Sequence, residues 1–245
     1  MMIRFLKRIH ACWYIFSVVV NFLLFSPFFF YFSRKPSRYL TLNWFRKGFA
    51  FLSSALAGVF YKHVYETNIV WDKPFIVCAN HTSNLDIAAI TGIMQGNFAF
   101  LGKEELLHNP VLSNFFKTID IPVNRESKIA SFRAFKKADE YLQDGLSLVI
   151  FPEGKIGYEY PPILHPFKNG PFRLAIDRGI PIIPVSIDHL WELMWDDGFV
   201  HGSKPGVRTL FVHSPIETTG MTADDADTLK ELVYAKLQQT SFTKS

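Results

Sequence analysis

Nine consecutive residues, Cys78-Ala79-Asn80-His81-Thr82-Ser83-Asn84-Leu85-Asp86, place an imidazole and a carboxylate five positions apart. On one regular helix such a pair would point about 140° apart. The two side chains meet only if His81 sits in a loop and Asp86 in the first turn of a following helix. Thr82, Ser83 and Asn84 are good N-cap residues for that helix, and a carboxylate near its positive end is favoured in the ionised form. An anionic Asp beside an imidazole fixes the tautomer and stabilises the imidazolium formed when His takes a proton. The same two residues could instead cap a helix or bind a metal.

Two further segments end in groups suited to a substrate, and a third is consistent with packing at the site or an acyl passage. Leu148-Val149-Ile150-Phe151-Pro152-Glu153-Gly154-Lys155 reads as a strand running into a tight turn. Gly154 permits close backbone approach and Glu153 can accept from a hydroxyl; a plain turn after a core strand is the alternative. Ile121-Pro122-Val123-Asn124-Arg125 ends in a guanidinium, suited to a bidentate phosphate contact or to a surface salt bridge. Ile180-Pro181-Ile182-Ile183-Pro184-Val185 reads as a buried strand with prolines at its start. There is no G-x-S-x-G elbow, no H-E-x-x-H and no P-loop. Direct attack by an acceptor hydroxyl, deprotonated by His81, is the simplest chemistry left. The other His residues lack metal spacing, and two cysteines, Cys12 and Cys78, make neither a disulfide framework nor a Cys-rich zinc site.

These groups need a scaffold, and from about residue 65 short β-rich runs alternate with helical ones, the pattern of one α/β domain. Expected strands are 75–79, 98–101, 119–123, 146–151, 182–187 and 208–213. Expected helices are 84–95, 103–108, 127–142, 168–178 and 222–239. Trp191 and Trp195, four apart, suit either packing on the body or a membrane interface.

Residues 1–65 are different. They hold nine Lys/Arg and no Asp or Glu, and 12 of the 25 Phe lie in the first 60 positions. The rest of the chain is net −5. Ile9–Phe32 runs 24 residues without a charge, about 36 Å as a helix and long enough to cross a bilayer, although Pro27 should kink or end it. Gly48–Phe60 is apolar but too short to span. Basic residues before, between and after favour a membrane-embedded helical pair with both ends on one side, with a single span as the alternative. The division expected is an anchoring segment, 1–64, and a body, 65–245. With 49% hydrophobic and 20% charged residues, a disordered chain is excluded, and the apolar arm points to a membrane partner rather than a nucleic acid.

Taken in order, NHTSNLD, GKEEL with VNR, FPEGK, FKNGPFRLAI and IPIIPVSI resemble the glycerophospholipid acyltransferase family over residues 65–215, above all its bacterial-type 1-acylglycerol-3-phosphate acyltransferases. The resemblance implies a mixed sheet flanked by helices. It implies transfer of a fatty acyl group from acyl-CoA or acyl-carrier protein to a lysolipid hydroxyl, most of all 1-acyl-sn-glycerol-3-phosphate, to give phosphatidic acid. It makes His81 the general base and Asp86 its orienting carboxylate. Arg125 then contacts the acceptor phosphate, Glu153 and Gly154 help bind the acceptor, and Pro184 is the fourth-block proline. Lys103 and Lys168 fall in family-like contexts. The family's third block usually continues Thr-Arg-Ser, where this chain has Lys155-Ile156-Gly157; Lys155 can replace the missing Arg as a point charge without its fork. Another lysolipid, such as a lyso amino-acid lipid, is the alternative acceptor, and a lipid hydrolase or a non-catalytic membrane-binding relative are the other classes. No cofactor and no metal are implied, the implied partners are membrane lipids, and the expected location is the cytoplasmic face of the inner membrane.

Overall fold

The computed structural model describes residues 2–195 and 198–241. Helix α1, Met2–Phe32, is followed by a single 3₁₀ turn and α2, Tyr39–Leu56. Then come β1 (Val59–Tyr65), β2 (Ile76–Ala79), α3 (Leu85–Ile93), β3 (Phe98–Lys103), α4 (Ser113–Phe116) and β4 (Ile121–Val123). The chain continues through α5 (Lys128–Gln143), β5 (Ser147–Ile150), α6 (Gly170–Arg178), β6 (Ile182–Ile187), α7 (Gly198–His201), β7 (Gly206–Val212) and α8 (Ala226–Ser241).

The strands form one mixed sheet in the order β1-β7-β6-β2-β5-β3-β4, with β6/β7 its antiparallel pair. Every residue of β2, β5 and β6 is buried, as expected of central strands covered on both faces. Because β2, β5, β3 and β4 run parallel, their C-terminal ends open on the same edge. The loops carrying His81, Glu153 and Arg125, and the end of β3 carrying Lys103, converge there.

Helix α5 follows its sequence signals closely: Ser127 Oγ accepts the Ala130 N–H at 3.2 Å, and the chain turns at Gly145 with φ +82°. Three expectations need correction. Pro27 does not end α1, which runs on to Phe32. Proline removes the N–H that would have met the carbonyl of Leu23, and Ser26 Oγ donates to that carbonyl instead, at 3.0 Å. The expected helix 103–108 is a 3₁₀ segment, Glu104–His108, with Lys103 still in β3. The apolar run 48–60 is not one element: α2 stops at Leu56, Gly58 turns the chain at φ +67°, and β1, which patterning missed, begins at Val59.

Among the described residues α1 is the one helix long and apolar enough to cross a membrane by length and composition, yet both its ends are fastened to the body. Near its start, Ser203 N–H donates to Lys7 O at 2.9 Å. His10 lies 2.8 Å from Ala57 O through Nε2 and 2.6 Å from Ser203 Oγ through Nδ1. A carbonyl only accepts, so Nε2–H is the donor to Ala57 O. Near its C-terminal end, Phe29 is fully buried and meets Phe115 edge-to-face at 4.9 Å. Between these points Phe22, Phe25 and Phe29 pack against Phe45 and Phe49 of α2.

Candidate active site

His81 sits in the loop after β2 and Asp86 in the first turn of α3, as their spacing requires. His81 Nδ1 and Asp86 Oδ2 are 2.9 Å apart. The same oxygen accepts the backbone N–H of Thr82 at 2.7 Å and of Ser83 at 2.9 Å. Three donors thus meet on one carboxylate oxygen. Since that oxygen accepts, Nδ1–H is the donor. The imidazole stacks on Phe151, with ring centroids 4.0 Å apart. Asp86 is sealed from solvent while the His81 side chain keeps 16% of its exposure. The loop itself is held by Asn80, whose amide pairs with both backbone groups of Ile187.

Glu153 follows β5. Its Oε1 accepts the His81 N–H at 2.7 Å and its Oε2 the His165 N–H at 2.8 Å. Both oxygens therefore brace backbone, tying the His81 loop to the segment around residue 165. Burial pushes the Glu153 carboxyl up to about 8, against the pull of these two bonds. Gly154 turns the chain at φ +78°, and a Cβ there would lie 3.4 Å from Arg125 Cζ. The guanidinium thus lies over the glycine, at ordinary contact distance from where a Cβ would stand, and it is the positive φ that calls for glycine here.

A cavity of about 240 Å³ joins these groups, with His81, Lys103, Arg125, Gly154 and Lys155 among its lining residues. A second, about 700 Å³, shares Arg125, Gly154 and Lys155 with it and adds Glu153, His165 and Lys168. The sequence-predicted residues are thus brought together, Glu153 behind the His81 backbone rather than beside its ring. Pro184 lies in β6, paired with Cys78 of β2, one strand from the His81 loop. Trp191 and Trp195 pack on the body: Tyr160 meets both edge-to-face, at 5.2 and 5.5 Å. Among the described residues no group of three or more His, Cys, Asp or Glu could hold a metal. Sequence reasoning missed Phe151 as a platform for the imidazole and Arg46, which reaches this cavity from α2. The signal for Arg46 was a cation within an apolar helix of an arm that has no acidic residue.

A mixed sheet that presents a His–Asp pair and clustered cations at one edge agrees with the family comparison. The model of the Acyltransferase family matches residues 61–188, more than half of the chain, and the chain belongs to that family. It is 30% identical, over 75% of its length and 66% of the relative's, to an uncharacterized acyltransferase of Schizosaccharomyces pombe. It is 30% identical, over 61% of each chain, to the 1-acyl-sn-glycerol-3-phosphate acyltransferase of Haemophilus influenzae. These matches span about half to two thirds of the curated relatives' length. The crystal structure of the 1-acyl-sn-glycerophosphate acyltransferase of Thermotoga maritima has the same fold, with a TM-score of 0.79 at 22% identity over 98% of this chain and 100% of that one.

Proposed function

We propose that the protein transfers a fatty acyl group from a thioester, acyl-CoA or acyl-carrier protein, to the free hydroxyl of 1-acyl-sn-glycerol-3-phosphate, giving phosphatidic acid. The observation that carries this reading is the pairing of His81 Nδ1 with Asp86 in a cavity that also holds Lys103, Arg125 and Lys155. Nε2 takes the proton of the acceptor hydroxyl as its oxygen attacks the thioester carbonyl. The tetrahedral intermediate collapses, the C–S bond breaks, and the imidazolium returns its proton to the leaving thiolate. Asp86 holds the ring and offsets its transient charge. Arg125, with Lys155 and Lys103, grips the phosphate. Glu153 and Gly154 serve acceptor binding indirectly, by setting the loop and by giving Arg125 its place. Ile156, at the position where the family usually has an arginine, with Lys155 one residue before it, favours as a second reading a lysolipid whose headgroup asks for less positive charge.

Relatives of known name are lipid acyltransferases, and the arm fits a lipid substrate. With α1 fastened to the body at both ends, the anchor is a pair of helices, α1 and α2 within residues 1–64, lying in one leaflet rather than spanning. Leu23, Leu24 and Trp44 are 65%, 64% and 78% exposed on it, and the arm's Lys and Arg suit anionic headgroups. Both proposed donors are made inside the cell, which favours the cytoplasmic face of the inner membrane. The test is an acceptor panel: purified protein with each labelled donor and several lysolipids, products read by mass spectrometry. Phosphatidic acid as the dominant product is expected; a protein inert toward every acceptor overturns the reading.

A further inference from the structure

Helix α2 sends its two central cations in different directions. Arg46 turns inward, where its Nη2 meets Asp120 Oδ2 at 2.9 Å. Lys47 turns outward. With Leu40, Trp44 and Phe51, all exposed, it keeps the spacing of four, three and four that sets residues on one helical face. An ammonium therefore interrupts the apolar stripe of α2. The arm holds no Asp or Glu, and among the described residues Lys47 belongs to no ion pair. It is half-buried, and burial pulls its ammonium down from the ordinary value, as expected of a cation withdrawn from water without a counterion. Lys47 lines a pocket of about 270 Å³ with Trp44, Tyr65 of β1 and Gly92 of α3. His63 of β1 stands beside it, its Cε1 3.7 Å from where a Cβ of Gly92 would be. On the other side of Trp44 runs a groove of about 500 Å³, lined by Phe25 of α1 and by Thr41, Phe45 and Gly48 of α2. Leu40 and Trp44 border both. A polar pocket with one unpaired cation thus adjoins an apolar groove across a single indole.

We propose that this is a binding site for one anionic phospholipid of the surrounding leaflet, with its phosphate on Lys47 and one acyl chain in the groove. The proposal goes beyond acyl transfer and rests on the reading of the arm as a leaflet anchor. The phosphate supplies the counterion that the chain itself lacks, and the Tyr65 hydroxyl can donate to a second phosphate oxygen. The occupant is a resident lipid and not the reacting lysolipid, because neither the pocket nor the groove shares a residue with the cavity at His81.

The test purifies the full chain in an uncharged detergent, adds phosphatidylglycerol and reads bound lipid by native mass spectrometry. The wild type should retain a single phosphatidylglycerol. Lys47→Met, of similar length, should weaken retention by roughly 10–150-fold, the range for one hydrogen bond to a charged group, and Lys47→Arg should keep it. Lys62→Met is the control: it removes the same charge from an exposed position on the opposite face of β1 and should leave retention unchanged. Equal loss in Lys47→Met and Lys62→Met would show a diffuse attraction of headgroups to a basic arm and overturns the proposal, as does a wild type that retains no lipid. Millimolar sn-glycerol 3-phosphate should not displace the lipid; displacement would make this a site for free phosphate esters, which also overturns it. Flotation with anionic vesicles keeps the anchor reading separate. Wild type and Lys47→Met should both float, and a wild type that does not float would defeat the anchor reading itself.

Discussion

The Asp86 oxygen that meets His81 Nδ1 at 2.9 Å is the one that accepts the backbone N–H of Thr82 and Ser83. Ring orientation and loop shape therefore depend on a single atom. Its partner oxygen, Oδ1, is buried without a hydrogen-bond partner among the described groups. A neutral amide at this position can still present one oxygen to the three donors, but it loses the charge and puts an NH₂ where Oδ1 finds no acceptor.

His81→Ala should lower kcat by ~10²–10⁴-fold, the usual contribution of a positioned general base, with folding and membrane binding unchanged. Asp86→Asn should lower it by a similar factor or less, since the base remains but its orientation and charge partner are weakened. Initial rates with a labelled donor in detergent micelles measure both. Near-normal turnover by His81→Ala would remove the base from the mechanism.

Glu153 makes the pH dependence of stability informative. Its carboxyl titrates near 8 in the folded chain instead of its ordinary 4.5 because it is buried. Between those values the folded state holds a proton that the unfolded chain has released. Its contribution is thus fully present below pH 4.5 and is lost as pH rises toward 8. Glu153→Gln cannot titrate, so its stability should vary less from pH 5 to 8 than that of the wild type. A glutamine nitrogen cannot accept from His81 N or His165 N, so the variant should also be about 1–3 kcal/mol less stable at the acid end. Denaturant midpoints across the pH range measure both effects, and a steeper pH dependence in the variant would contradict the assignment.

How legible these features were depended on how local their causes are. Helix α5 is written in its Ser127 cap and the Gly145 turn, and the meeting of His81 with Asp86 follows from a spacing of five and the capping residues between them. Strand β1 was hidden because its partner β7 lies far along the chain and its outward positions are polar or exposed. Arg46 and Asp120 are 74 residues apart, so neither sequence neighbourhood announces the other. Pro27 reads as a helix breaker until Ser26 is seen to occupy the carbonyl left over. The Trp191/Trp195 choice was open because the ring that meets both, Tyr160, comes from a distant loop.

The same packing decides how the anchor should be tested. Deleting residues 1–60 would remove Phe29 and Leu42 from the core, both fully buried, and would confuse unfolding with release from the membrane. Leu23→Glu with Trp44→Glu changes only exposed positions. A charged residue set deep in a bilayer costs at least ~2.5 kcal/mol, so two should weaken flotation with anionic vesicles more than tenfold even if they lie nearer the interface. Transfer to a short-chain, water-soluble acceptor should persist. Unchanged flotation would place the membrane contact elsewhere on the molecule.

The proposed phosphate grip gives a test that separates acceptors. Arg125 lies over Gly154, its guanidinium carbon 3.4 Å from where a Cβ would stand, and Lys155 follows at the same cavity rim. A hydrogen bond to a charged group contributes roughly 1.5–3 kcal/mol, which is about 10–150-fold in kcat/KM at tenfold per 1.4 kcal/mol. Arg125→Ala should therefore lower kcat/KM for 1-acylglycerol-3-phosphate by a factor in that range while barely affecting an acceptor without a phosphomonoester. Lys155→Ala should do the same to a smaller extent, because an ammonium is a point charge without a fork. Gly154→Ala puts its Cβ in ordinary van der Waals contact with the guanidinium, so it should keep the wild-type acceptor selectivity and cost only the strain of a positive φ, about 1–2 kcal/mol of stability. If Arg125→Ala and Lys155→Ala both lower the two acceptors equally, Arg125 and Lys155 are not gripping a phosphate, and a lysolipid with another headgroup becomes the better substrate.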